Sequence, residues 1–296
     1  MTKKIFKLYL RKFLIHYMKR QYMEYSFIRN LGYKPDFDNP KSFNEKINWF
    51  KLYGFDKRYT PLADKISVRS YIEDKIGNEY LVPIYGIYKS GTELIKDIRN
   101  LPVSFVLKSN HGSGQVFICK DKDSINWNMQ AKILDNWLNI NYYDYTGEWQ
   151  YRDINPYIIC EQLLDEYIID YKYYCFAGKV EFLYISKGWA SNNAKVTFFD
   201  VKGAIAPFQR LDHEMLEEEA LVFPPNMSKM IYLAERLSEG FPFVRVDLYS
   251  VNEKIYFSEL TFTPCNGYMP FKPREWDYKL GAKWKLDTEE KHKQTI

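Results

Sequence analysis

A strand pattern interrupted by a glycine-bearing loop, at residues 105–120, is the feature that most constrains the fold of this chain. The stretch reads FVLKSNHGSGQVFICK, with short β-prone apolar runs on either side of the loop 110–114. It predicts two strands joined by a flexible turn. Glycines let backbone N–H groups approach a ligand closely and Lys108 adds a positive charge, so a polyphosphate suits this loop. An ordinary hairpin is the alternative, because the spacing matches neither the nucleotide P-loop nor a full GxGxxG.

The remaining strand patterns lie close together in sequence, which predicts antiparallel pairing through hairpins. Helical periodicity interrupts these hairpins instead of alternating with single strands, so the pattern indicates an α+β fold and not a parallel βαβ sheet. Ser42 followed by Glu45 predicts a helix start. Further predicted strands cover 157–161, 171–176, 180–185, 195–199, 243–249 and 254–260, and predicted helices follow residue 42 and cover 60–77, 130–140 and 227–239.

Composition predicts a folded, soluble protein. The chain of 296 residues is 46% hydrophobic and 18% aromatic, which argues against disorder, and 27% of its residues are charged. No apolar run is long enough to span a bilayer. The cysteines show no CxxC spacing and no signal peptide is evident, so we expect buried free thiols in a reducing cytoplasm. These cysteines are Cys119, Cys160, Cys175 and Cys265.

The first 30 residues form a basic amphipathic segment. They contain eight lysines and arginines against the single acid Glu24, interleaved with apolar residues. The pattern predicts one helix or a helix pair. Such a segment can lie on an anionic membrane face or pack on the main body of the protein, and both readings stay open.

A second hairpin, VRVDLYSVNEKIYFSELTF, carries charges on strands that are otherwise apolar. Arg245 and Asp247 are two residues apart and project to one face, and Glu259 on the returning strand can lie opposite Asp247. Two neighbouring carboxylates repel unless a cation lies between them, and hard oxygen ligands suit Mg²⁺. A buried Arg/Asp/Glu salt-bridge network is the alternative.

Together these fragments resemble the ATP-grasp ligases, and specifically the TupA-like (teichuronopeptide biosynthesis) branch. The resemblance spans residues 40–286, with ADKISVRSYI, LVPIYG, FVLKSNHGSGQV, YIICEQLLDEY, DYKYYCFAGKV, VRVDLY and FSELTFTP in the family's order. It implies two α+β subdomains that clasp ATP between antiparallel sheets, at 61–160 and 161–296. A helical segment, 1–60, would replace the usual preceding domain.

The resemblance also implies roles for individual residues. Lys65 and Lys108 would contact nucleotide phosphates, Glu166 the ribose and Lys172 a further phosphate. The flexible loop over the phosphates would comprise His111, Gly112, Ser113, Gly114 and Gln115, and the hinge that reads adenine would comprise Glu161, Gln162 and Leu163.

The metal ligands implied are Asp247, Glu259 and Thr261, holding two Mg²⁺ ions. Thr261 stands where many ATP-grasp enzymes carry an asparagine, so its hydroxyl would have to replace an amide. Arg245 would stabilise developing negative charge, and Lys108 would share in catalysis.

The implied activity is ATP-dependent carboxylate–amine ligation through an acyl phosphate. The branch suggests that an amino acid or other amine is joined to the carboxylate of a uronic acid in a glycan or sugar nucleotide, for a bacterial capsule, O-antigen or cell-wall polymer. The expected location is the cytoplasm, with peripheral contact to the inner face of the plasma membrane if residues 1–30 bind lipid. A glycosyltransferase using Asp121 and Asp123, or a noncatalytic nucleotide-binding relic, are the alternatives. The net charge of +4 and the lack of a nucleic-acid signature argue against a nucleic-acid partner.

Overall fold

The computed structural model describes residues 3–165, 168–187, 194–217 and 223–286. The α-helices are α1 (Lys3–Tyr17), α2 (Lys19–Leu31), α3 (Phe43–Tyr53), α4 (Thr60–Ala63), α5 (Val68–Ile76), α6 (Gly91–Asp97), α7 (Trp127–Leu138), α8 (Tyr143–Thr146), α9 (Met227–Ser238) and α10 (Glu275–Lys283). The strands are β1 (Ile84–Tyr88), β2 (Phe105–Ser109), β3 (Val116–Cys119), β4 (Ile158–Glu161), β5 (Asp170–Phe176), β6 (Lys179–Lys187), β7 (Lys195–Asp200), β8 (Gln209–Arg210), β9 (Phe243–Val251), β10 (Lys254–Thr261) and β11 (Phe271–Lys272).

Two antiparallel sheets organise the molecule, and the α+β prediction is confirmed. The smaller sheet has the strand order β1-β4-β2-β3, and the larger has β10-β9-β5-β6-β7. The pair β8 and β11 forms a separate two-stranded ribbon. Both predicted hairpins are present, β2 with β3 and β9 with β10.

Each sheet has its own hydrophobic core. The smaller core joins Leu94 and Leu134 to strands β2 and β4. The larger core includes Ile47 of α3 and Ile72 of α5 as well as the larger sheet. Helices α3 and α5 therefore pack with the larger sheet, and the domain boundaries at 60/61 and 160/161 stay a prediction.

Helix α3 begins where the sequence predicts. The Ser42 side chain accepts the Glu45 backbone N–H, and the Glu45 carboxylate accepts the Ser42 N–H at 2.8 Å. Behind this cap, Phe43 packs its ring edge-on against Phe243 with centroids 4.9 Å apart. The α3 helix is thus fastened to strand β9, which carries the charged residues of the second hairpin.

The helix predicted over 60–77 is broken into α4 and α5. Asp64 ends α4, and its carboxylate accepts the Ile66 N–H at 3.0 Å and the Ser67 hydroxyl at 2.6 Å. An Asp side chain that satisfies nearby donors in this way competes with helical hydrogen bonding. The break puts Lys65 in a non-helical segment, from which it reaches the glycine loop.

The N-terminal segment is a helix pair, as one form of the prediction had it. Helix α1 packs on the main body through the buried Ile15 and through Asp144, whose carboxylate pairs with Lys12 at 2.6 Å and His16 at 2.7 Å. The other side of α1 exposes a stripe of apolar residues, Phe6, Tyr9, Leu10, Phe13 and Tyr17. No helix among the described residues is long and apolar enough to cross a membrane.

The cysteines are free, as predicted. Cys119, Cys160 and Cys175 are buried in strands, and Cys265 is half-buried. In the described ranges, no group of three or more His, Cys, Asp and Glu side chains has the geometry of a metal site.

Candidate active site

A cleft of about 360 Å³ lies between the two sheets. The smaller sheet contributes Lys108, Glu161 and the glycine loop, and the larger sheet contributes Lys172, Arg245 and Glu259 from three adjacent strands. The two hairpins singled out in the sequence therefore face each other across one cavity. Polar groups that are far apart in the chain converge there, which is typical of a ligand site.

The register of the larger sheet puts its charged side chains on one face. Lys172 of β5 lies opposite Asp247 of β9, and Asp247 lies opposite Glu259 of β10. A bulge at Ser258 shifts the β10 register between Phe257 and Glu259. Without that extra residue Ser258 would lie opposite Asp247, so the bulge aligns the two carboxylates.

Arg245 is the centre of the hydrogen-bond network on this face. Its Nε and Nη2 each donate to Asp247 at 2.7 Å. Nη2 also donates at 2.9 Å to Glu259 Oε1 and at 2.9 Å to Thr261 Oγ1. Burial opposes the charge of Arg245, but the Asp247 carboxylate together with Tyr184 and Tyr174 outweighs burial and raises the pKa of the guanidinium well above its usual value.

Asp247 pairs with two cations, Arg245 and Lys172. Lys172 Nζ lies 2.7 Å from Asp247 Oδ2, and the carboxylate has no exposed surface. Burial raises the pKa of Asp247, although Arg245 and Lys172 favour its ionised form. Both carboxylate oxygens are thus engaged, so in this structure Asp247 is the counter-ion of Arg245 and Lys172, and its role as a metal ligand stays a prediction.

Glu259 lines the cleft beside Arg245. Burial opposes its ionisation, but the charges of Arg245, Lys65 and Lys172 more than offset this and lower the pKa of Glu259 to about 2. Thr261 donates its hydroxyl to Glu259 Oε1 at 3.0 Å, and within the described residues Oε2 has no bonding partner. An ionised carboxylate with one oxygen open suits Mg²⁺, which binds through one or two carboxylates and the phosphates of its substrate.

Lys108 and Glu161 form the opposite wall of the cleft. Lys108 Nζ lies 2.7 Å from Glu161 Oε2. Burial alone would lower the pKa of Lys108, but the adjacent Glu161 carboxylate together with Tyr249 and Asp170 outweighs burial and raises it. Lys108 is therefore a permanent positive charge at the end of β2, where the sequence predicted one.

Lys65 reaches the same place from the broken helix. Its Nζ donates to Gly112 O at 2.6 Å, and its backbone N–H donates to Asn110 O at 3.2 Å. Burial lowers the pKa of this ammonium. The loop turns through Gly114 at a φ of +77°, a conformation that glycine adopts without strain. Lys65, Lys108 and Gly112, Ser113, Gly114 and Gln115 all line the cleft.

Five predicted residues that the structure describes do not line the cleft: His111, Gln162, Leu163, Asp247 and Thr261. His111 is buried and its Nε2 donates to Ile140 O at 3.0 Å, so it anchors the loop to the segment after α7. The Gln162 backbone N–H donates to Pro83 O at 2.9 Å, and Leu163 is the next residue in the chain. Glu166 lies outside the described residues.

Other residues of the cleft were missed. Tyr184 lies opposite Lys172 on β6, where the alternation of side chains along the strand could have revealed it. Arg69 stands within ADKISVRSYI, and the same fragment that indicated Lys65 could have indicated it. Arg210 belongs to a two-residue strand that no local pattern marks.

Comparison with known proteins supplies a family. The family model TupA-like ATPgrasp matches residues 45–285. None of the curated proteins matches this chain.

Similar solved structures are distant in sequence. A D-alanyl-alanine synthetase A from Vibrio cholerae has a TM-score of 0.43 and 13% identity, over 77% of this chain and 62% of that chain. A D-Ala–D-Ala ligase from Helicobacter pylori has a TM-score of 0.43 and 11% identity, over 76% and 61%. The N5-carboxyaminoimidazole synthetase of Staphylococcus aureus, complexed with ADP, has a TM-score of 0.36 and 12% identity, over 69% and 45%. The chain thus spans about half to three fifths of the solved structures it matches.

The match over 45–285 covers most of the chain, and it includes the two facing hairpins with Lys108, Arg245 and Glu259. On this basis the chain belongs to the TupA-like ATP-grasp family.

Proposed function

We propose that this protein is an ATP-dependent carboxylate–amine ligase that acts through an acyl phosphate. The observation that carries the proposal is the pairing of two walls across one cleft. Lys65, Lys108 and the glycine loop form the first, and Arg245 with Glu259 forms the second. Cations and backbone N–H groups on one side and an open carboxylate on the other suit a polyphosphate chelated by a divalent cation.

The apolar part of the cleft suits the base of the nucleotide. Leu81 and Val82 line it near β1, and Val116 and Phe257 line it from the two sheets. A flat heterocycle gains from burial against such side chains. The Glu161 side chain pairs with Lys108, and the hinge role expected for Glu161, Gln162 and Leu163 stays a prediction.

The proposed reaction needs ATP because a free carboxylate does not form an amide with an amine in water. Oxide is a poor leaving group, so transfer of the γ-phosphoryl group of ATP to the carboxylate precedes attack by the amine, which then displaces phosphate. Lys108 stabilises charge on the transferred group, and Arg245 stabilises the oxyanion formed on the acyl carbon. The loop over the cleft excludes water that would hydrolyse the acyl phosphate. Magnesium held by Glu259 would supply further neutralisation of phosphate charge.

We further propose that the acid is a uronic acid of a bacterial surface polysaccharide precursor and that the amine is an amino acid or similar compound. This part rests on the family's branch alone. The rival glycosyltransferase reading relied on Asp121 and Asp123. Asp121 accepts the Asp123 N–H at 3.0 Å as the cap of a short turn, and neither residue lines the cleft.

Release of ADP tests the proposal. The purified protein is supplied with ATP, MgCl₂ and a panel of uronic acids and amino acids, singly and in pairs. ADP release that requires Mg²⁺ and both an acid and an amine is the expected result. Calorimetry that detects no binding of ATP would contradict both the ligase and the noncatalytic relic, whereas ATP binding without turnover for any pair would favour the relic.

We also propose that residues 1–30 bind peripherally to an anionic membrane. The exposed stripe on α1 repeats at helical spacing, and Phe6, Phe13 and Tyr17 are 55%, 52% and 76% exposed. Aromatic side chains beside lysines suit the interface of an anionic bilayer.

Deleting residues 1–30 would also remove the buried Ile15 and Phe27, so Phe6→Ser/Phe13→Ser is the sharper variant. We expect wild-type protein to float with phosphatidylglycerol vesicles and not with phosphatidylcholine vesicles. Equal flotation of the variant would contradict the membrane reading.

A further inference from the structure

Arg210 enters the cleft from outside both sheets. It lies on β8, opposite Phe271 of β11, and the Leu211 N–H donates to Pro270 O at 2.9 Å. This ribbon carries the guanidinium to the cleft, where Arg210 shares the lining with Tyr184, Arg245 and Cys265. Lys65 and Lys108, which we propose to bind phosphate, reach the same cavity from other elements.

The Arg210 guanidinium is buried with one nitrogen unused. Only 5% of the residue is exposed. Asp212 accepts Nε and Nη2, each at 2.7 Å. In the described part of the chain, Nη1 is buried and has no hydrogen-bond partner. A buried N–H group of a charged side chain is costly to leave unpaired, so this nitrogen indicates a ligand acceptor.

A second donor without a partner lies on the same face of the larger sheet as Arg245 and Tyr184. The Tyr174 hydroxyl is buried and, among the described residues, lacks a hydrogen-bond partner. Tyr174 lies opposite Arg245 in the sheet but does not itself line the cleft. The unpaired guanidinium N–H of Arg210 therefore carries the inference, and it matches a negatively charged oxygen acceptor.

We propose that Arg210, oriented by Asp212, forms a subsite for a carboxylate of the substrate that is not the nucleotide. This inference rests on the proposed ligase function and deepens it, because it names the group that Arg210 recognises in the cleft. The carboxylate can belong to a uronic acid or to an amino acid. Arginine binds carboxylates with fixed geometry, so the subsite selects acids over their esters and amides.

Binding of small probes without turnover tests the subsite. Saturation-transfer NMR compares D-glucuronate with its methyl ester, and L-alanine with L-alaninamide, each added to the full-length protein with ADP and MgCl₂. We expect one acid to bind at least about tenfold more tightly than its neutral partner. A preference in the sugar pair assigns the subsite to the uronic acid, and one in the amino-acid pair assigns it to the amino acid. Absence of any preference for an acid in the wild-type protein would overturn the proposal.

Variants at Arg210 locate the effect. Arg210→Gln should abolish the preference for the acid and leave ADP binding unchanged. Arg210→Lys keeps a charge for Asp212 but loses the planar fork, so it should fold and recover the preference only in part. Equal acid binding by wild type and Arg210→Lys, with both proteins folded by thermal melting, would overturn the role of the fork. These readouts need no catalysis, so failure of the ligase function and failure of the subsite are distinguishable.

Discussion

Lys172 Nζ and Asp247 Oδ2 lie 2.7 Å apart in a buried ion pair, and Arg245 holds the same carboxylate through two further bonds. Lys172 and Asp247 face each other across the β5–β9 ladder. In this arrangement Lys172 and Arg245 occupy the carboxylate of Asp247, whose metal role stays a prediction. Glu259 lines the cleft with one carboxylate oxygen open.

Replacement of Asp247 should chiefly affect stability. Asp247→Asn leaves Arg245 and Lys172 buried without their shared counter-ion, so we expect a loss of about 3–5 kcal/mol in the free energy of unfolding. Urea denaturation followed by circular dichroism measures this loss. The double variant Asp247→Asn/Lys172→Met should recover part of it, and a single variant as stable as the wild type would contradict the counter-ion role.

Replacement of Glu259 should chiefly affect turnover. Glu259→Gln keeps the shape of the side chain but removes the charge that suits the metal, so we expect a roughly 10²–10³-fold lower kcat for ADP release in a folded protein. Glu181→Gln is the matched control, because Glu181 does not line the cleft. Its Oε1 lies 2.6 Å from Lys283 Nζ in a surface ion pair. Full activity of Glu259→Gln would refute the metal role.

The low pKa of Glu259 predicts a pH dependence of stability. The pKa falls from 4.5 to about 2 on folding, with Arg245 as the main favourable charge. The ionised form therefore stabilises the fold fully above pH 4.5, and this contribution is lost as the pH falls toward 2. We expect wild type to exceed Glu259→Gln in unfolding free energy at neutral pH, with the gap shrinking between pH 4.5 and 2. A gap that does not depend on pH would contradict this prediction.

The pair of Lys108 and Glu161 allows stability and function to be separated. Lys108→Met leaves the Glu161 carboxylate buried without a partner and should cost about 3 kcal/mol or more. Adding Glu161→Gln removes the stranded charge, so the double variant should regain most of that stability in thermal melts. ADP release should stay low in both variants, because neither carries the phosphate-binding charge. Recovery of turnover in the double variant would exclude the role of Lys108.

Gly281 is a test of the packing that supports the site. A Cβ at this position would lie 2.1 Å from Lys41 O and 2.8 Å from Phe43 N, so α10 meets the start of α3 backbone to backbone. Gly281→Ala should lower the free energy of unfolding by about 1–3 kcal/mol or more. The exposed neighbour Ala282 supplies the control Ala282→Ser. Equal melting temperatures for the two variants would contradict the close approach.

Much of the fold was predictable because it rests on local patterns. The capping box at Ser42 and Glu45 and the turn at Asn252 and Glu253 involve only neighbouring residues. The alternation along β9 likewise puts Arg245 and Asp247 on one face. The break at Asp64 was not predicted, because a capping side chain inside an otherwise helical pattern competes with the helix in a way that periodicity does not register.

The sequence by itself determined the two hairpins, their charged residues and the order of elements, since these depend on the period of side chains along a strand or helix. The tertiary structure alone decided which charges meet. In the folded protein His111 bonds to Ile140 outside the cleft lining, and Lys172 pairs with Asp247. The bulge at Ser258 aligns Glu259 with Asp247, and Arg210 reaches the cleft from a two-residue strand. Those contacts link residues far apart in the chain, so their geometry is set by how both cores pack and not by any local preference.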